Sequence, residues 1–157
     1  EDSQLNVPAG LEATAISAGE YHSLALTAGG EVVAWGDNYY GQCNVPEGLV
    51  ATKIAAGDYH SLALRPDGTV VAWGWTGYGI CDVPEGLVAT EIDAGSRYSL
   101  ALTPDGEVVK WSSDFYEYID PPLGLVATKI AAGAFHGLAI SADGDLVEWG
   151  VVGGVPE

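Results

Sequence analysis

The sequence predicts an all-β protein, a β-propeller of four-stranded antiparallel blades with four 38-residue repeats per chain. Three observations carry this. The stretches AGEYHSLAL, AGDYHSLAL, AGSRYSLAL and AGAFHGLAI begin at residues 18, 56, 94 and 132, so each starts 38 residues after the last. A fixed period near 40 marks one supersecondary unit copied in series. Short apolar runs are punctuated by Gly- and Pro-containing turns, and no segment joins helical periodicity to helix caps. In the second run, Leu24 and Leu26 point one way and Ser23 and Ala25 the other. Neither face is charged, so both are covered, and small Ala and Ser let neighbouring sheets approach.

Each element can be read in order within one unit. VATKIAAG is a first strand, HSLALRPDG a second, TVVAWG a third and CNVP a short fourth. The second and third meet at PDG (66–68 and 104–106), ADG (142–144) and AGG (28–30), tight turns in which Gly accepts a positive φ. Trp35, Trp73, Trp111 and Trp149 recur in step, as framework residues. The whole of 1–157 reads as one repeat domain. Its blade units are about 8–46, 47–84, 85–122 and 123–157, with an N-terminal strand, 1–7, closing a C-terminal blade.

Composition narrows the function. Twenty-two acidic residues face 5 basic ones, for a net charge of −17. Such a surface repels nucleic acid and anionic membrane, and favours solubility, salt tolerance or a basic partner. No apolar run approaches the ~20 residues of a membrane helix. With no signal peptide and no methionine, the sequence reads as a mature or trimmed chain. The acidic, Lys-poor character points to a secreted or cell-surface location.

The motif G-x-Y-H-S-L-A-L followed by D-G-x-V-V-A-W-G-x-N-x-x-G-Q resembles the regulator of chromosome condensation repeat. Gly19, His22, Ser23, Leu24, Ala25, Leu26, Trp35, Gly36, Asn38, Gly41 and Gln42 fit it. The compact period and the NVP-x-G-L link are closest in style to bacterial compact-repeat propellers, such as the propeller-type β-lactamase inhibitor protein. The resemblance implies a propeller. It does not extend to guanine-nucleotide exchange, because this chain lacks room for the longer repeats and extra loops of the exchange factor. The third repeat departs most: Tyr98 replaces His, and SSDFYEY replaces the G-x-N-x-x-G-Q turn.

In an up-and-down meander, the first-to-second and third-to-fourth connections emerge on one face. The non-framework aromatics all lie in or beside those two loop classes. They make Tyr21, Tyr39, Tyr40, Tyr59, Trp75, Tyr78, Phe115, Tyr116 and Phe135 the candidate partner-binding residues, with Tyr39, Trp75 and Tyr116 expected to be exposed. Aromatic side chains on rigid loops give large contact area at little entropic cost. The resemblance adds that Tyr21, Tyr40, Tyr59 and Phe135 match positions on the enzyme-binding face of the inhibitor. Because Tyr21, Tyr59 and Phe135 recur in register, packing between blades is the other reading of those three.

His22, His60 and His136 are equivalent, but Tyr98 interrupts them and no carboxylate recurs beside them, so they read as structural and no metal is expected. Cys43 and Cys81 read as small buried thiols on an outer strand, too far apart for a disulfide. Neither a catalytic constellation nor a cofactor motif is evident. The function expected is a non-enzymatic protein-binding module, with enzyme inhibition as one form of it. A carbohydrate-binding or adhesive module, and an architectural fragment of a larger protein, are the alternatives. The unlike loops DNYYGQ, WTGYGI and SDFYEY favour a single composite protein-binding surface. Ring closure is expected either within one chain or, preferred here, between two chains as a homodimer with eight blades.

Overall fold

The computed structural model describes residues 3–112 and 119–151. Its strands fall into four antiparallel sheets. Blade 1 holds β1 (Ala15–Ala18), β2 (His22–Leu26) and β3 (Val32–Gly36). Blade 2 holds β4 (Lys53–Ala56), β5 (His60–Leu64) and β6 (Val70–Gly74). Blade 3 holds β7 (Glu91–Ala94), β8 (Ser99–Leu102) and β9 (Val108–Trp111). Blade 4 holds β10 (Ala127–Ala132), β11 (His136–Ser141) and β12 (Leu146–Gly150).

The registers repeat, with His22 opposite Gly36 in blade 1 and His60 opposite Gly74 in blade 2. The β2–β3 and β5–β6 turns close on Gly30 and Gly68, both at φ 84°, where a side chain would be strained. Gly57 serves a different need: a Cβ there would lie 2.6 Å from the Gly95 carbonyl of the next blade. Glycine at that place lets the inner strands β4 and β7 approach.

The expected fourth strand is not found among the described residues, where each sheet has three. In Cys43–Pro46 the backbone donors are spent locally: Asn44 N–H bonds Gly41 O at 2.9 Å and Val45 N–H bonds Cys43 O at 3.0 Å. Pro46 has no N–H to add to a ladder. The N-terminal segment follows the same rule. Ser3–Leu5 is a 3-10 turn, not a strand, and lies against blade 1, where Gln4 O accepts the Trp35 indole N–H at 2.9 Å. Cys43 and Cys81 are accordingly free thiols, half-buried in loops instead of buried on an outer strand. Their Sγ atoms bond Asp37 O and Trp75 O, both at 3.2 Å.

The core lies between blades. Leu24, Leu26 and Val32 of blade 1 face Ala63 and Trp73 of blade 2. Leu62, Leu64 and Val70 of blade 2 face Ala101 and Trp111 of blade 3. Leu100, Leu102 and Val108 of blade 3 face Ala139 and Trp149 of blade 4. At each of these three seams a leucine face meets a tryptophan face.

Polar pins repeat across the same seams. His22 Nε2 pairs with Ser61 Oγ at 2.9 Å, and His60 Nε2 with Ser99 Oγ at 3.0 Å. These histidines are fully buried and each is spent on a serine of the next blade. Burial holds both imidazoles at a pKa of about 4, well below the ordinary 6.5. At the third seam Tyr98 replaces histidine and Gly137 replaces serine. Tyr98 O–H donates to His136 O at 2.6 Å, while a Cβ on Gly137 would collide with the Trp149 ring.

Candidate partner-binding face

The loop after β3 is rigid because its own polar side chains tie it. Gln42, fully buried, donates from Nε2 to Asp37 Oδ2 at 2.8 Å and accepts Tyr40 N–H at 2.9 Å. Asn38 accepts the Cys43 N–H and donates to Asn44 Oδ1, both at 2.8 Å. The Gln42 carbonyl then accepts both the Trp73 indole and the Ser61 hydroxyl at 2.9 Å, which fixes the loop onto blade 2. Tyr39 and Tyr40 are held at the tip of this frame. In the loop after β6, Trp75 N–H bonds Tyr59 O at 2.9 Å, and Tyr78 stands at φ 59° between Gly77 and Gly79.

Six of the nine expected residues come together. Tyr21 stacks on Tyr59 at 5.6 Å between ring centroids, across the blade 1–blade 2 seam. Tyr40 meets Tyr59 edge-on at 5.4 Å and Tyr39 at 4.9 Å. Trp75 contacts Tyr40 at 5.8 Å and Tyr59 at 5.9 Å, and Tyr78 meets Trp75 edge-on at 5.1 Å. The result is one continuous aromatic ridge over blades 1 and 2. Tyr21 and Tyr59 pack against each other between blades, and Tyr21 also remains exposed.

Exposure divides the ridge. Tyr39 is 83% exposed, and Tyr21, Tyr40 and Tyr78 are exposed as well. Trp75, expected to be exposed, is half-buried because the three tyrosines pack around its ring. Phe135 is half-buried and stacks on none of the described rings. Phe115 and Tyr116 lie outside the described residues.

Sequence reasoning passed over the charged rim. Arg97 places its guanidinium 5.7 Å from the centre of the Tyr78 ring. It occupies the variable pair SR, equivalent to EY and DY, and that variability was the available signal. Beside Tyr21, Glu20 bonds the phenol and holds its pKa up at about 12. Asp58 bonds Ser96 Oγ, and burial raises its carboxyl above the ordinary value. Asp37 joins Tyr21, Tyr39, Tyr40 and Tyr59 in lining a shallow cleft of about 430 Å³. A ridge of tyrosines edged by Glu20, Asp37 and Asp58 suits a surface with apolar and cationic groups.

Residues 13–42 and 51–80 match the family model of the regulator of chromosome condensation (RCC1) repeat. No curated protein matches the chain by sequence. Among solved structures, the CRINKLY WD40 ectodomain of the Arabidopsis thaliana receptor kinase ACR4 is 26% identical with a TM-score of 0.76, over 87% of this chain and 50% of that one. The ectodomain of the Physcomitrella patens receptor kinase CR4 is 26% identical with a TM-score of 0.77, over 92% and 42%. Prp20p from Saccharomyces cerevisiae, described with its binding properties to Gsp1p and histones, is 23% identical with a TM-score of 0.75, over 92% and 46%. The chain spans about half the length of these relatives. Two of its four repeats thus match the model of that repeat, and its four sheets are similar to the blades of the propellers above.

Proposed function

We propose that this chain is a non-enzymatic protein-binding module that uses the aromatic ridge of blades 1 and 2 against a partner with basic and apolar surface. The observation that carries this is the ridge itself. Tyr21, Tyr39, Tyr40, Tyr59, Trp75 and Tyr78 form an unbroken chain of ring contacts on loops whose backbones are already fixed. Pre-ordered aromatic groups bind without a large entropic cost. The net charge of −17 adds long-range attraction for a basic partner. Prp20p, of like fold, is described with binding properties to Gsp1p and histones, which supports a protein ligand. Inhibition of an enzyme is one form such binding takes. A secreted or cell-surface location is supported by the two receptor-kinase ectodomains among the relatives.

The test is capture by the immobilised chain from its native environment, alongside a glycan array, with the Tyr39→Ala/Tyr40→Ala variant in parallel. A protein captured by the parent chain and lost by an equally stable variant supports the reading. Glycan binding lost by the same variant would replace it with the carbohydrate-binding alternative.

A further inference from the structure

We propose that two copies of this chain close head to tail into one eight-bladed ring, with blade 4 of each protomer seated on blade 1 of the other. The seams inside one chain supply the template. Each joins the leucine face of one blade to the tryptophan face of the next. Among the described residues, one face of each kind is left uncovered. On blade 1 the tryptophan face is open: Ile16 is 80% exposed, and with Val7, Leu11, Ala25 and Trp35 it lines an apolar groove of about 590 Å³. On blade 4 the leucine face is open, with Leu146 at 72% and Ile140 at 41%. Their counterparts in blade 1, Val32 and Leu26, are only 5% exposed under blade 2.

The polar pins show which faces match. The first two seams carry His22 with Ser61 and His60 with Ser99, and the third carries Tyr98 with Gly137 in the same places. The halves left over are His136 on blade 4 and Ser23 on blade 1. They form a His–Ser pair, the kind found at the first two seams, and neither a tyrosine nor a glycine stands at either end. The N-terminal segment fits the same seam. Gln4 O caps Trp35 as Gln42 O caps Trp73, so Ser3–Leu5 holds the place that the loop after a preceding blade holds elsewhere. In the ring, that preceding blade is the partner copy's blade 4, so Ser3–Leu5 lies at the seam between the two copies.

Two such contacts related by a two-fold axis leave no open face, whereas a head-to-tail contact that failed to close would grow into a fibre. Eight equal blades turn by about 45° each, shared between four internal-type seams per half ring. This inference does not rest on the aromatic ridge, which lies on the loops and not on the blade faces.

Size-exclusion chromatography with light scattering, on the 157-residue chain at several concentrations, is the test. The expected mass is twice 16.2 kDa at tens of micromolar, with tighter association as salt screens the −17 charge of each copy. Ile16→Glu and Ile140→Glu change residues exposed in a single copy, so each should give a folded monomer. Ser23→Ala should weaken the dimer roughly 3- to 10-fold. His136→Tyr alone should block it, and His136→Tyr with Ser23→Gly, which rebuilds the pair of the third seam, should restore it. A monomer at every concentration would mean closure within one chain or by further repeats, and would overturn the proposal. So would a dimer indifferent to both glutamate variants, or open-ended polymer.

Discussion

Blade 1 and blade 2 are almost the same peptide in two settings. HSLAL and VVAWG occur unchanged at 22–26 and 32–36, and again at 60–64 and 70–74. Yet Ser61 and Trp73 are buried while Ser23 and Trp35 are half-buried. The inner strand β1 is largely exposed, whereas Ala55 and Ala56 of β4 are buried. What separates them is the neighbour. Blade 2 has one on each side and blade 1 has one. Burial in this fold is a property of the seam, not of the repeat, as expected for an array whose stability comes from units and their interfaces.

The difference can be broken first at the tryptophans. Trp73→Ala removes a buried ring and its bond to Gln42 O, and should cost about 3–5 kcal/mol in a denaturant titration. Trp35→Ala, measured under the same conditions on the single copy, should cost clearly less. Equal losses would show that the two blades are covered alike.

The third seam sharpens the point. Tyr98→His should destabilise by about 2–4 kcal/mol, since it leaves Gly133 O and His136 O without the phenol and opens space at a fully buried site. Adding Gly137→Ser supplies the hydroxyl of the other seams but sets a Cβ against the Trp149 ring, so it should recover only a small part of that loss. A double-mutant cycle with no coupling would mean that the residues do not act as a pair.

The buried histidines respond to pH. Desolvation keeps His22 and His60 neutral in the folded chain down to about pH 4, while the unfolded chain takes up protons below about 6.5. Their contribution is therefore present above 6.5 and falls toward pH 4, by about 1.4 kcal/mol per pH unit for each ring. Asp58 and Asp93, whose carboxyls burial raises, act in the opposite direction. Ring-nitrogen NMR shifts that move near pH 4 fit this account, and movement near 6.5 contradicts it.

The smallest effect belongs to the ridge. Tyr39→Ala should change stability by no more than about 0.5 kcal/mol, because the ring is 83% exposed and its loop is held by Asp37 and Gln42. A larger loss would make Tyr39 a structural residue.

Much of this was legible in the sequence. Strict spacing located the blades, Asp-Gly placed the hairpins, and the drift of EY, DY and SR marked the loop face. The fourth strand misled because CNVP has an apolar alternation, but its donors turn back on Gly41 and Cys43 and its proline adds none. Trp75 misled because its departure from the framework suggested exposure, while three tyrosines brought from separate loops half-bury it. The pairing of Tyr98 with Gly137 spans adjacent repeats, so it became readable only once the blades were seen to touch.

The most direct test is hydrogen exchange of the inner strands β1 and β4, followed by mass spectrometry at a concentration where the chain is a single copy. The account predicts that Ala15–Ala18 exchanges much faster than Lys53–Ala56, and that raising the concentration slows exchange at β1 while β4 stays as it was. Equal protection of the two strands at low concentration would contradict the claim that each blade is buried by its neighbours.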